Sequence, residues 1–118
     1  MLIPEKLLEQ YSPIIKSWKI ERNEENSKGD VLKLSISFVD DSNLKTFEAI
    51  FFDSLNKRYG YHWVSDRNKT LYRWDNTPHF PVFSTFPYHR HVGELEIAES
   101  FDKVSLEDVL LFIANQLS

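Results

Sequence analysis

Between Leu32 and Phe38 the chain alternates strictly, with Leu32, Leu34, Ile36 and Phe38 separated by Lys33, Ser35 and Ser37. A period of two places the four apolar side chains on one side of a β-strand and the polar ones on the other, so this segment must lay one face on a core. Its neighbours read in the same way. Ile14, Trp18 and Ile20 alternate with Lys19 and Glu21 in a preceding half-buried strand, and the polar run Asn23 to Asp30, which contains Gly29, is expected to be the loop between the two. Asp40 to Asn43 carries turn chemistry. A third strand spans Leu44 to Phe52 and is expected to be buried on both faces at Ile50, Phe51 and Phe52. A fourth, Lys57 to Ser65, carries Tyr59, Tyr61 and Trp63 on one side, and after a hairpin turn at Asp66 to Lys69 a fifth returns from Leu71 to Asp75. Parallel neighbours would need crossovers of about a dozen residues or more, so these short connections imply an antiparallel meander.

Two helices complete the expected architecture. At the start, Pro4 suits a first helical position, and Leu7, Leu8 and Tyr11 share a face before Pro13. At the end, Ser105 followed three residues later by Asp108 resembles a capping box, and Leu106, Leu110, Ile113 and Leu117 form an apolar stripe that should cover one face of the sheet. The class is α+β, with a mainly antiparallel sheet of about five strands, a short N-terminal helix and a C-terminal helix packed on the sheet. A chain of 118 residues has room for one core, so residues 1–118 are expected to form a single domain.

Composition narrows the chemistry. With no cysteine, there is neither a disulfide framework nor a thiolate metal site. A net charge of −4 argues against broad electrostatic binding to nucleic acid but leaves room for a small basic site. No run approaches the roughly 20 apolar residues that cross a bilayer, and the first residues lack the pattern of a signal peptide, so a cytoplasmic location is expected.

The segment from Asp75 to Gly93 breaks the strand pattern. It holds Pro78, Pro81 and Pro87, three of the four histidines, and Phe80, Phe83, Phe86 and Tyr88. Structureless loops of this length are uncommon in compact domains and are then usually functional or disordered; the aromatic content argues against disorder. An ordered loop holding His79, His89, Arg90 and His91 is expected.

The pieces Tyr72-Arg73-Trp74-Asp75-Asn76, Pro78-His79, Thr85-Phe86-Pro87-Tyr88-His89-Arg90-His91-Val92-Gly93 and Ser105-Leu106-Glu107-Asp108-Val109-Leu110, in this order and spacing, resemble the TumE family of prokaryotic toxin-antitoxin proteins. The likeness extends upstream through Tyr61-His62-Trp63. It implies a growth-arresting toxin neutralised by a cognate antitoxin, commonly a small helix-turn-helix protein. A second copy of the chain is a further candidate partner. Where relatives often carry additional histidines this chain has Phe80 and Tyr88, which argues against a many-histidine metal site.

The residues themselves suggest a reaction. In an extended segment His89 and His91 project to one side about 6 to 7 Å apart, a spacing that could flank a phosphodiester for acid–base cleavage of RNA without a metal. Arg73 is the better candidate to stabilise charge on phosphate, because Arg90 alternates away from the two histidines. Asp75 could orient an imidazole or pair with Arg73. Arg90, Tyr88, His79 and Tyr72 are the candidate RNA contacts, although His79 also reads as a loop-fixing residue and the aromatic rows as core. His62 is most simply a half-buried sheet residue. His89, His91 and Asp75 match a two-histidine, one-carboxylate metal set in composition, but no HExxH-type spacing supports one, so no cofactor is expected. As exposed site residues, His89 and His91 should contribute little to stability, and His62 and His79 more. The run Glu94, Glu96, Glu99 and Asp102 reads as a solvated connection, with an antitoxin's basic surface as the alternative. The competing class of function is a toxin that binds its target without catalysis.

Overall fold

The computed structural model describes residues 1–54 and 56–118. Helix α1 (Glu5–Gln10) leads into seven strands and a closing helix. The strands are β1 (Ile15–Asn26), β2 (Gly29–Phe38), β3 (Asn43–Phe51), β4 (Asn56–Val64), β5 (Thr70–Asp75), β6 (His89–Val92) and β7 (Ile97–Ser100), and the helix is α2 (Leu106–Leu117). All seven form one sheet in the order β1-β2-β3-β4-β5-β6-β7. Every neighbouring pair is antiparallel, so the α+β meander is as expected. Among the described residues no helix is long and apolar enough to cross a membrane.

The sheet has seven strands rather than about five. β6 and β7 emerge from what reads in the sequence as a loop and an acidic connection, because each has only four residues and neither shows an apolar alternation. β1 departs from expectation in two ways. Asn23 to Asn26 pair with Gly29 to Leu32, so the expected loop shrinks to a tight turn in which Asn26 Oδ1 accepts hydrogen bonds from the amides of Lys28 and Gly29. The strand is also an outer one and is almost wholly exposed rather than half-buried. Gly29 is required where it stands, since a Cβ there would lie 2.0 Å from the Ile50 carbonyl oxygen. The end of β3 is likewise open to solvent: Phe51 and Phe52 are 43% and 48% exposed, not buried on both faces.

Strand parity divides the sheet into two dissimilar faces. One face carries Leu32, Leu34, Ile36 and Phe38 from β2, Leu44 from β3, Tyr59, Tyr61 and Trp63 from β4 and Trp74 from β5, all buried with Leu106, Val109, Leu110 and Ile113 of α2. The capping box forms as the sequence suggests: Ser105 Oγ accepts from the Asp108 amide, and the Asp108 carboxylate accepts from the Ser105 amide. Phe112 of α2 meets Trp63, Tyr72 and Trp74 edge-on at 6.4, 4.9 and 5.4 Å between ring centres. The opposite face is polar. Two registered rows cross it, Lys33-Phe47-Gly60-Asp75-His89-Ser100 and Ser35-Lys45-His62-Arg73-His91-Ala98.

Truncation should separate the two kinds of strand. Leu34→Ala and Leu110→Ala remove side chains with 1% and 0% exposure and should each cost about 2 to 5 kcal/mol. Ile20→Ala, at 47% exposure on β1, should cost within about 0.5 kcal/mol. Denaturant unfolding of the three variants measures the difference.

Candidate functional site

The two rows bring Asp75, His89, His91 and Arg73 together on the polar face. Asp75 stands opposite His89 and Arg73 opposite His91 across the β5–β6 pair. His89 and His91 therefore lie on a strand rather than on a loop, and they are buried, with 2% and 8% exposure. Their rings are 5.0 Å apart and nearly perpendicular. Phe80 covers both edge-on at 4.9 and 5.9 Å, and Phe83 stacks on Phe80 at 5.2 Å.

Each imidazole is oriented by a backbone carbonyl. The Pro87 carbonyl lies 3.1 Å from His89 Nδ1 and the Glu96 carbonyl 3.0 Å from His91 Nδ1. A carbonyl only accepts, so each Nδ1 carries the hydrogen and each Nε2 is left facing the carboxylate. Glu96 reaches its position through a left-handed backbone, φ 47°, in the turn that begins at Gly93, φ 73°. A glutamate rarely adopts this conformation, and here it aims the carbonyl at His91.

Asp75 is the hub. His89 Nε2 is 2.8 Å from Asp75 Oδ1 and His91 Nε2 is 3.8 Å from Oδ2. The contact to His89 is short but lacks hydrogen-bond geometry, and His89 Nε2 has no hydrogen-bond partner. Oδ1 also accepts from the Thr77 amide at 3.0 Å. Arg73 lies between two acids, with Nε 3.8 Å from Asp75 Oδ2 and Nη2 3.3 Å from Glu96 Oε1. Asp75 is thus within ion-pair distance of both His89 and Arg73, the two partners read for it, although His89 Nε2 and Arg73 Nε make no hydrogen bond to it. Asp75, His89 and His91 each offer one ligand atom within 4.8 Å of the others, so the set could hold a metal ion.

The other candidates are placed elsewhere. Arg90 points to the α2 side of the sheet, where its guanidinium lies 4.9 Å from the Tyr72 ring, 4.2 Å from Phe101 and 5.7 Å from Phe112, and where Nε donates to Glu99 Oε1 at 2.7 Å. Tyr72 shares that side, stacked between Trp63 and Trp74. Glu99 and Glu96 are therefore paired with arginines rather than part of a solvated connection. His79 is exposed, and its ring meets that of its neighbour Phe80 edge-on at 6.4 Å. His62 is half-buried as expected, with Nε2 2.8 Å from Thr70 Oγ1. Tyr88 stacks on Tyr59 at 6.3 Å and lines an open cleft of about 400 Å³ with Lys57, Arg58, Lys103, Phe86 and Pro87. Burial pushes the Tyr59 hydroxyl in this cleft up to about 12, so it stays protonated.

Three contributors escape the sequence reading. Phe80 forms the cover. Gly60 stands opposite Asp75 and leaves open space there, since a Cβ on it meets nothing within 4 Å. Asn76 ties the start of the 76–88 loop to β4, with Oδ1 accepting from the Tyr59 amide at 2.9 Å and Nδ2 donating to the Lys57 carbonyl at 2.7 Å. Of these, Phe80 carried a signal as one of the aromatics expected to order the Asp75 to Gly93 segment, and Asn76 as the last residue of the piece Tyr72-Arg73-Trp74-Asp75-Asn76.

A family model described as Toxin TumE matches residues 4–117, nearly the whole chain. No curated protein and no solved structure matches.

Two stability measurements follow from this placement. His89→Ala leaves the Pro87 carbonyl short of its partner and empties a site with 2% exposure, and should cost about 1 to 3 kcal/mol, whereas His79→Ala should change stability by less than about 0.5 kcal/mol, the reverse of the order expected from the sequence. Burial first, and Arg73 second, lower the pKa of His62 from the ordinary 6.5. The unfolded chain then takes up this proton at a higher pH than the folded one, so stability should fall as pH drops from about 6.5 toward the lowered value and level off below it. His62→Gln should flatten that part of the curve in thermal unfolding measured across pH.

Proposed function

Because this chain belongs to the TumE toxin family and is the toxin component of a toxin-antitoxin pair, we propose that it arrests growth by cutting RNA, with Asp75, His89, His91 and Arg73 as the reacting centre. The observation that carries this reading is the convergence of two imidazoles, a carboxylate and a guanidinium on one sheet face, beside the side-chain-free space at Gly60. The ribose 2′-oxygen attacks the neighbouring phosphorus and loses its proton to the imidazole–carboxylate group. The P–O5′ bond then breaks, leaving a 2′,3′-cyclic phosphate, the departing oxygen takes a proton from water, the imidazole–carboxylate group returns its proton to the hydroxide so formed, and Arg73 faces the charge that builds on phosphate. His89, the more buried imidazole, holds Asp75 in place, and His91 is the more accessible of the two.

The basic cleft of Lys57, Arg58 and Lys103 is the route for the RNA strand, with Tyr88 as a stacking surface. Pro87 joins cleft to centre, since it lines the first and its carbonyl orients His89. The partner is a cognate antitoxin, expected to be a small helix-turn-helix protein, and the RNA substrate places the toxin in the cytoplasm. Burial of both histidines beneath Phe80 favours a second reading, a toxin that blocks its target by binding alone.

Expression of the toxin without its antitoxin should produce RNA fragments with new 5′-hydroxyl ends. Asp75→Asn and His91→Ala should lower cleavage by about a hundredfold or more and relieve growth arrest while the proteins remain folded by circular dichroism. Gly60→Val should do the same by placing a side chain in the space beside Asp75, where a Cβ meets nothing within 4 Å. Growth arrest with intact RNA, or full cleavage by folded Asp75→Asn, would favour the binding toxin.

A further inference from the structure

Three buried side-chain atoms among the described residues have no hydrogen-bond partner, namely Arg73 Nε, His89 Nε2 and Glu96 Oε1. All three belong to the cluster around Asp75. Buried polar atoms in native proteins are almost always satisfied, and whereas Arg73 Nε and Glu96 Oε1 belong to ion pairs, the orphaned Nε2 of His89, a residue with 2% exposure, points to a missing species.

The chemistry of that species follows from the tautomers. In the neutral imidazoles, with both Nδ1 atoms donating to carbonyls, His89 Nε2 and His91 Nε2 present lone pairs to a carboxylate that also presents lone pairs. Four acceptors then converge; the Thr77 amide donates to Asp75 Oδ1 and Arg73 faces Oδ2, but His89 Nε2 has no donor. A water molecule brings only two hydrogens, and one shared proton reconciles the 2.8 Å pair of His89 Nε2 and Asp75 Oδ1 while leaving His91 Nε2 and Asp75 Oδ2 opposed at 3.8 Å. A metal cation satisfies them together. We propose that Asp75, His89 and His91 bind one divalent first-row transition metal of the zinc class through the two Nε2 atoms and a carboxylate oxygen.

The spacing and the surroundings agree with this assignment. Ligand atoms about 2.0 to 2.1 Å from a tetrahedral zinc lie about 3.3 Å from one another; here His89 Nε2 is 2.8 Å from Oδ1, His91 Nε2 is 3.8 Å from Oδ2, and one ligand atom from each of the three residues lies within 4.8 Å of the others, so the set closes on a metal with a small inward shift. The Nδ1–H to carbonyl bonds are the outer contacts that orient metal-binding histidines. Two imidazoles select zinc, iron or nickel over magnesium and calcium, which take oxygen ligands. Phe80 excludes water from one side, and Asp75 and Glu96 offset the guanidinium charge of Arg73. Three protein ligands leave a position open for water or a phosphate oxygen. The histidines would then act as ligands, and the metal-free scheme expected from the sequence becomes a metal-assisted one.

This inference deepens the ribonuclease reading and rests on it for its functional meaning, but binding is measured without RNA. The full chain, stripped with a chelator, is titrated with Zn²⁺ by calorimetry and with Co²⁺ by absorption spectroscopy. Binding of one equivalent, visible d–d bands for Co²⁺ and a higher melting temperature with Zn²⁺ are expected. Asp75→Asn and His91→Gln should each weaken Zn²⁺ binding by a hundredfold or more, and His79→Gln should leave it unchanged. Absence of stoichiometric binding by the wild-type chain would overturn the proposal, and this outcome does not depend on whether any variant folds. Wild-type affinity in a folded Asp75→Asn, His91→Gln double variant would overturn it as well. Metal binding lost together with toxicity supports both readings. Binding confirmed while the folded double variant stays toxic leaves the metal site standing and removes the reacting centre.

Discussion

The pairing of β5 with β6 is the constraint on which the rest depends. Because side chains alternate along a strand, the register that sets Asp75 against His89 and Arg73 against His91 also sets Trp74 against Arg90 and Tyr72 against Val92. A slip by one residue would turn both histidines under α2 and expose Arg90 on the polar face. β6 is four residues long and has little apolar area to hold it in place. Arg90 supplies the lock, through its ion pair with Glu99 on β7 and its stacking on Tyr72, Phe101 and Phe112. A residue read from the sequence as an RNA contact is placed where it secures the geometry of the centre.

The legible part of the fold was the part written in apolar periods. The alternation Leu32 to Phe38, the aromatic alternation Tyr59 to Trp63 and the Ser105–Asp108 cap all specify structure locally, and each is found where the sequence puts it. β6 and β7 were not legible because each has only four residues, the two buried residues of β6 are histidines, and no residue of β7 is buried, so neither strand carries an apolar period. β1 erred in the other direction. Trp18 and Ile20 have a strand's period, but a position at the sheet edge leaves them without a covering layer.

Much the same division runs through the centre. Asp75, His89 and His91 were nameable from residue type and spacing, and the two-residue interval did put both imidazoles on one side. Their burial and the inward turn of their Nε2 atoms were not nameable, since these depend on the carbonyls of Pro87 and Glu96 and on the cover of Phe80, all contacts of the tertiary fold. Backbone carbonyls leave no trace in a sequence. The unusual conformation at Glu96 was equally invisible, because glutamate signals no left-handed turn.

The twelve residues of β1 form an open edge whose backbone groups on one side have no neighbouring strand. Such an edge invites another chain to add itself by strand pairing. Two devices oppose this. Lys19, Glu21, Arg22, Glu24 and Glu25 place charges along the edge, and register irregularities at Ile15–Ser17 and Ile20–Arg22 bend it away from the flatness that stacking needs. A toxin must stay dispersed in the interval after its antitoxin is lost. The charged, irregular border of this sheet therefore opposes edge-to-edge joining of one copy to another.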